Sequence, residues 1–177
     1  MTASTVLHTS VSGLYAQPQT PIDGGRQGAD LRQIVVTKAL ATTSIDETGD
    51  IILMCPVNWT DRITSIKIFN DDCDSHSTPT AAMDVGLYKV NPQDGTVTVL
   101  DADVYATAIT SLQAAVTTGT EIAFEVRDIN KIGQTVLTDA GLTAVPLNAI
   151  PVIGFTITTT AATPVAGDVS LVVQFTN

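Results

Sequence analysis

The chain has 177 residues, of which 44% are hydrophobic and only 15% are charged, and its formal net charge is −10. This length suits one well-buried domain and is too short for two. The acidic balance and the scattered basic residues argue against binding of nucleic acid or of an anionic membrane surface, because both require clustered lysine and arginine. No apolar run approaches the length that spans a bilayer.

The N-terminus has neither the basic region nor the continuous apolar run of a signal peptide. The sequence therefore predicts a protein that is made in the cytosol and stays soluble. In that reducing compartment we expect Cys55 and Cys73 to be free thiols. Cys55 belongs to the apolar run 51–55 and is expected to be a small core residue.

Residues 1–33 differ from the rest of the chain. Two prolines and three glycines fall within residues 18–28, and no hydrophobic period is sustained. Such a segment is either a flexible terminus or an extended arm that becomes ordered on a partner. Leu14 and Tyr15 give it apolar contact points. We favour an extended arm that contacts a neighbouring chain, ahead of a β-sandwich domain over residues 34–177.

Short strands rich in threonine and valine follow, to the end of the chain. Alternation and apolar runs predict strands at 34–37, 51–57, 62–69, 83–88, 97–99, 122–126, 153–157 and 169–175. The 51–57 run is apolar on both faces, which predicts a central strand. Asp94-Gly95 predicts a hairpin because glycine accepts positive φ, and residues 161–167 are expected to form another hairpin-like link.

Two segments break the β pattern. Apolar residues recur at helical spacing at Tyr105, Ile109, Leu112 and Val116, and again at Ile129, Ile132, Val136 and Ala140. Asp101 or Asp103 is a possible N-cap of the first predicted helix, whereas Asp128 and Gly141 would cap the second. The whole pattern predicts an all-β fold: an antiparallel β-sandwich, jelly-roll-like, with one or two short helices and the extended N-terminal arm.

The densest polar cluster, residues 70–76, contains three aspartates, a cysteine and a histidine and is a candidate metal site. Alternate aspartates resemble the start of a calcium-binding loop. Counted from Asp72, however, the sixth residue is not glycine and the twelfth is not glutamate. Cys73 and His76 have the spacing of half a zinc site, without a second half. We therefore favour a solvated loop with turns stabilised by Asp and Ser.

Residues for catalysis are sparse. The histidines are His8, in the predicted arm, and His76. A Cys73–His76 dyad is disfavoured because neighbouring carboxylates raise the pKa of a thiol and lower its reactivity. Two pairs of carboxylates also occur, Asp101 with Asp103 and Glu121 with Glu125, and capping or solvation explains them. The sequence predicts that the protein is not an enzyme and has no catalytic, cofactor-binding or metal-binding residues and no cofactor.

Five segments resemble those of a known family. They read Arg-Ile-Thr-Ser-Ile-Lys-Ile-Phe-Asn at 62–70, Met-Asp-Val-Gly-Leu-Tyr-Lys at 83–89, Gly-Thr-Val at 95–97 with Asp-Ala-Asp-Val-Tyr-Ala at 101–106, and Thr-Glu-Ile-Ala-Phe-Glu-Val-Arg-Asp at 120–128. Together they resemble head decoration proteins of tailed bacteriophages, also described as capsid cement or stabilisation proteins, which have jelly-roll-like β-sandwich domains. The resemblance spans about residues 45–175.

The resemblance implies a structural virion protein that binds the outside of the phage capsid and stabilises the shell by bridging capsid subunits. Its expected partner is the major capsid protein, and its expected location is the capsid surface of a virion made in the host cytoplasm. Decoration proteins often occupy local three-fold positions, so the resemblance also implies a homotrimer.

Two alternatives stay open. The first is a neck, tail or fibre-associated adaptor protein of the virion, also β-rich and acidic but present in few copies. The second is a carbohydrate-binding module, which usually displays aromatic side chains on one sheet face. With 5% aromatic residues and a single tryptophan, Trp59, the chain is poorly equipped for that role. Trp59 is expected either to cap the core or to lie in an interface.

Overall fold

The structure is a computed structural model that describes residues 30–177, so most of the predicted arm, residues 1–33, lies outside the described residues. Within the described part, eight strands form two antiparallel four-stranded sheets. The strands are β1 Arg32–Leu40, β2 Ile51–Pro56, β3 Arg62–Asn70, β4 Ala82–Val90, β5 Val97–Ile109, β6 Val116–Glu121, β7 Ile150–Thr159 and β8 Gly167–Thr176. A short helix, α1, spans Val136–Asp139, and 3-10 turns occupy Thr42–Ser44, Ser111–Gln113 and Ile129–Lys131.

The strand orders are those of a jelly roll. The first sheet runs β1-β8-β3-β6 and the second runs β2-β7-β4-β5. All the connections between successive strands cross from one sheet to the other except β4–β5, which is a hairpin. This topology confirms the predicted antiparallel, jelly-roll-like sandwich.

The core lies between the inner faces of the two sheets. Val169, Leu171, Val173 and Phe175 of β8 are buried at every second position, as the strand period requires. Ile153, Phe155 and Ile157 of β7 face them from the second sheet and are also buried. These strands are the ones that the alternating sequence predicted.

The helix predicted from Tyr105, Ile109, Leu112 and Val116 is wrong. β5 continues to Ile109, a 3-10 turn follows, and β6 begins at Val116. Opposite β4, Ala106 pairs with Val85 and Ile109 with Met83, so β5 carries one extra residue in this interval. The resulting β-bulge buries residues three and four apart on one strand, which imitates helical spacing.

A bulge also explains why 51–57 is not the predicted central strand. β2 is an edge strand, and it pairs only with β7. Met54 is an extra residue between Leu53 and Cys55, which pair with consecutive residues of β7. Ile52 and Cys55 are therefore both buried although they lie three positions apart, and the run looks apolar on both faces.

Two further predictions are wrong because the chain changes sheets. Residues 122–126 do not form a strand: the Ile122 amide donates to Ile66 of the first sheet, whereas the Val126 amide donates to Tyr105 of the second. The strand beside β3 is β6, whose sequence Val-Thr-Thr-Gly-Thr-Glu has little apolar signal. Likewise, residues 161–167 join β7 to β8 in the other sheet and form no hairpin.

The other turn predictions fit better. The β4–β5 hairpin is confirmed, with Gly95 at φ +73° and its amide donating to the carbonyl of Asn91 at 2.8 Å. The second predicted helix shrinks to α1, which Thr135 caps through its hydroxyl, in place of Asp128. Gly141 follows α1 at φ +67°, as expected of a residue that ends a helix.

Candidate functional site

The acidic loop at 70–76 is solvated only in part: Asp71, Asp72, Ser75 and His76 are exposed, as the sequence predicts, whereas Asp74 is buried, with 1% of its surface exposed. Its two carboxylate oxygens accept hydrogen bonds from four backbone amides, those of Thr80, Ala81, Ala162 and Thr163, at 2.7 to 3.1 Å. Burial acts to raise the pKa of Asp74, yet these amides hold it well below its ordinary range. Asp74 thus joins two loops at one end of the sandwich.

Cys73 and His76 are not arranged as a reactive pair. Cys73 is buried, and desolvation, followed by the charges of Asp71, Asp72 and Asp168, raises the pKa of its thiol to about 11. His76 is exposed, and its ring nitrogen Nδ1 accepts a hydrogen bond from the Thr78 amide at 3.0 Å. A thiol held in its protonated form is a poor nucleophile and a poor metal ligand.

No group of three or more His, Cys, Asp or Glu side chains in the described residues is arranged to hold a metal ion. His8 lies outside those residues. Cys55 is buried in the core, as expected, and its thiol is free like that of Cys73.

The paired carboxylates lie within strands and turns. Asp101 belongs to β5, so it caps no helix; burial and then the neighbouring Asp103 raise its pKa. Glu121 accepts hydrogen bonds from the Ser65 hydroxyl and from the Ile66 amide at 2.9 Å, at an irregularity in β3. Glu121 therefore supports the pairing of β3 with β6. Glu125 lies in the turn after β6 and is exposed.

A buried ion pair that the sequence did not predict lies beside α1. Arg127 and Asp139 approach to 3.0 Å, and both side chains are almost wholly buried. The guanidinium also donates to the carbonyls of Ile63 and Lys131, each at 2.9 Å, and lies 5.7 Å from the ring centre of Tyr105. Nothing in the local pattern distinguishes Arg127 from a surface arginine, because Asp139, Tyr105 and Ile63 lie 12, 22 and 64 positions away.

The outer face of the first sheet is open, and its uncharged part lies on β1 and β8. It presents Gln33, Val35 and Thr37 of β1, Ser170, Val172 and Gln174 of β8 with Asp168 at the start of that strand, Ser65, Lys67 and Phe69 of β3, and Glu121 of β6. One row runs across all four strands as Val35, Val172, Lys67 and Glu121, so its two charges are opposite and adjacent. Thr37 and Ser170 share a hydrogen bond of 2.7 Å, and the Gln174 amide donates to Gln33 at 3.0 Å. We call this surface the first-sheet face.

The outer face of the second sheet is covered by the chain itself. Four residues of β5, 102–105, lie opposite the single residue Gly86 of β4. The chain of β5 passes so close there that a Cβ atom on Gly86 would lie 2.1 Å from the Asp101 carbonyl oxygen. Tyr88 is fully buried: its ring lies over Gly154 and its hydroxyl is 2.6 Å from that of Thr156. Among residues 30–177, the first sheet is therefore the one that presents a broad open face.

The fold resembles those of two chains from phage capsids. One belongs to the cyanophage Pam1 capsid asymmetric unit, with 20% identity, a TM-score of 0.54, and coverage of 89% of this chain and 90% of that chain. The other belongs to the capsid of Ralstonia phage GP4, with 17% identity, a TM-score of 0.58 and the same coverage. At these identities the likeness concerns the fold. No protein-family model and no curated protein matches the sequence.

Among the described residues, no helix is both long and apolar enough to cross a membrane.

Proposed function

We propose that this chain is a structural virion protein that binds the outside of a phage capsid shell and stabilises the shell by bridging capsid subunits. It acts by contact and catalyses no reaction. Its partner is the major capsid protein, and its place is the capsid surface of a virion assembled in the host cytoplasm. The shared fold with chains of two phage capsids supports this proposal.

The observation that carries the proposal is the first-sheet face. The protein has a net charge of −10, yet the part of this face formed by Gln33, Val35 and Thr37 of β1 and by Ser170, Val172 and Gln174 of β8 carries no charge. Protein–protein interfaces are depleted of charge at their centre because charged groups are costly to desolvate. A flat face of Gln, Thr, Ser and Val in an acidic protein is therefore suited to burial against a partner.

The size of this face favours attachment in many copies. Four strands about 4.8 Å apart and about six residues long at about 3.3 Å each give roughly 400 Å². Two such surfaces bury about 800 Å², about half of a typical stable interface. Further contacts, by residues 1–33 as an extended arm and by association into a homotrimer, would raise the avidity.

The first test is the copy number of the protein in purified virions, measured by quantitative mass spectrometry with the major capsid protein as internal standard. A ratio of one copy per capsid subunit, or a simple fraction of it, is expected for a shell protein. A handful of copies per particle would overturn the proposal and favour the neck, tail or fibre-associated adaptor.

The second test concerns the first-sheet face. Val172→Asp places a charge near its centre and Val35→Asp places one on its β1 edge, and each variant is expected to abolish co-sedimentation with purified heads that lack the protein. Val165→Asp changes an exposed valine in the loop before β8 and serves as the matched control. Binding by the face variants at the level of the control would exclude this face as the capsid contact.

A further inference from the structure

A groove with a volume of about 500 Å³ lies beside β5 and β6, the edge strands of the two sheets. Its apolar lining includes Ile109, Ile122 and Phe124, and the carboxylates of Glu121 and Glu125 stand along it. The volume falls within the range of sites that hold a side chain or a small ligand. We call it the edge groove.

The wall of the edge groove has a fixed shape. Ala108, which lines it, has φ +48°, a conformation that residues other than glycine rarely adopt. The Asp84 carboxylate holds this bulge because it accepts from the Ala108 amide at 2.7 Å and from the Thr107 hydroxyl at 3.1 Å. Such strain persists where the surroundings impose it, often at binding sites.

A hydrophobic projection lies elsewhere on the molecule. Leu147 has 94% of its surface exposed, the highest value among the exposed large hydrophobic residues described. Its loop is anchored: the Asn148 amide donates to Gln93 at 3.3 Å, and the buried Trp59 donates from its indole to the Ala149 carbonyl at 3.0 Å. Leu147 is therefore presented on a supported loop.

The charges beside the two features differ. Lys89 lines the same crevice as Leu147, and it makes no ion pair within the described residues. Asp94 also lines that crevice, where its carboxylate accepts from the Thr96 amide at 2.8 Å within the hairpin turn. The crevice beside the apolar projection thus carries one cation and one anion, whereas the lining of the edge groove carries two carboxylates and no cation.

The two features lie at opposite ends of the sandwich. Leu147 comes just before β7, whose first residue, Ile150, pairs with Val90 at the end of β4. In the edge groove, Ile109 pairs with Met83 at the start of β4. Val90 lies seven positions after Met83 in β4, and at about 3.3 Å per position the two are about 23 Å apart. Leu147 cannot fill the groove of its own chain.

We propose that Leu147 of one copy inserts into the edge groove of a second copy, with Lys89 of the first facing Glu125 of the second. The contact closes as a reciprocal pair or as a ring, depending on the angle between copies. It does not rest on attachment to a capsid, although it would supply the subunit interface of the proposed trimer.

Sedimentation equilibrium of the full-length protein alone tests the contact. The wild type is expected to associate reversibly, and Leu147→Asp to weaken association at least about tenfold, as the loss of a central apolar anchor does. Val165→Asp, at another exposed valine, is the control and should associate like the wild type. A wild type that stays monomeric at all concentrations, or a Leu147→Asp variant that associates unchanged, would overturn the contact.

Charge reversal tests the orientation of the contact. Lys89→Glu and Glu125→Lys are each expected to weaken association several-fold, and the double variant to recover most of the loss, because the two charges face each other again. Additive losses in the double variant would contradict the pairing. If the protein associates as expected but does not bind heads, the capsid proposal is refuted and the contact between copies stands. If the associated species has the mass of a dimer, only the proposed trimer is refuted.

Discussion

Two carboxylates are buried at different ends of this sandwich, and their pKa values are shifted in opposite directions. Asp74 is 1% exposed and Asp139 is 9% exposed. The pKa of Asp74 lies well below its ordinary range, whereas burial raises the pKa of Asp139 to about 6, although the Arg127 guanidinium favours its charged form. At Asp74 the four backbone amides thus outweigh the cost of desolvation, whereas at Asp139, where desolvation has the larger effect, the one buried cation does not.

The difference has a physical cause. Backbone amides around Asp74 are already ordered by the fold, and they need a partner in any case. An arginine must itself lose its hydration to meet Asp139, and that cost offsets much of the attraction. Asp74 therefore stabilises the fold directly, while the pair of Arg127 and Asp139 makes a smaller net contribution.

The largest expected effect is that of Asp74→Asn. The amide group keeps the shape but replaces one acceptor oxygen with a donor, which leaves buried backbone amides without partners. We expect a loss of about 3–5 kcal/mol in the free energy of unfolding, measured by urea denaturation. Asp72→Asn is the matched control, since Asp72 is exposed and accepts one amide, that of Asp74 at 3.1 Å. An equal loss of stability in Asp74→Asn and Asp72→Asn would show that the four amides at Asp74 do not stabilise the fold more than the single amide at Asp72.

The sequence predicts the strands whose side chains alternate regularly between the two faces. It does not predict the β-bulges that interrupt this alternation. Isoleucine and valine alternate in β3 and β8, so these strands were predicted nearly to their ends. The bulges at Met54 and near Ala108 shift side chains to the other face, and no local residue signals them. This is why an edge strand was predicted to be central and part of β5 to be helical.

The same limit applies to the functional surfaces. The low charge of the chain, its alternating strands and the absence of a complete metal or catalytic motif were visible in the sequence. The burial of Asp74 was not, because its amide partners at Ala162 and Thr163 are nearly 90 positions away. The first-sheet face likewise depends on β1 pairing with β8, at the other end of the chain.

Removal of Arg127, the partner of Asp139, tests how much the ion pair contributes compared with the amides around Asp74. Arg127→Met leaves Asp139 buried without its cation and is expected to cost about 3 kcal/mol in the free energy of unfolding. Adding Asp139→Leu removes the unpaired charge, so the double variant is expected to regain most of that stability. Denaturant unfolding of the two single variants and the double variant measures the coupling. A double variant less stable than Arg127→Met would show that the ion pair stabilises the fold strongly.

The smallest expected effect is a dependence of stability on pH. Between about pH 4 and pH 6, folded Asp139 binds more protons than the unfolded chain, because its pKa is raised from 3.8 to about 6. Its contribution to stability therefore falls as pH rises through this window. The shift corresponds to about 3 kcal/mol, and solvent screening reduces the expected change to about 2 kcal/mol.

Asp74, with a lowered pKa, acts oppositely: its contribution is present above about pH 4 and is lost as pH falls. Denaturant unfolding of the wild type and of Asp139→Asn at pH 4 and pH 6 separates the contributions of Asp139 and Asp74. Only the wild type has the Asp139 contribution to stability, which falls as pH rises. A parallel response in both proteins would mean that Asp139 is already ionised at pH 4 and that the Arg127 pair resembles the Asp74 centre.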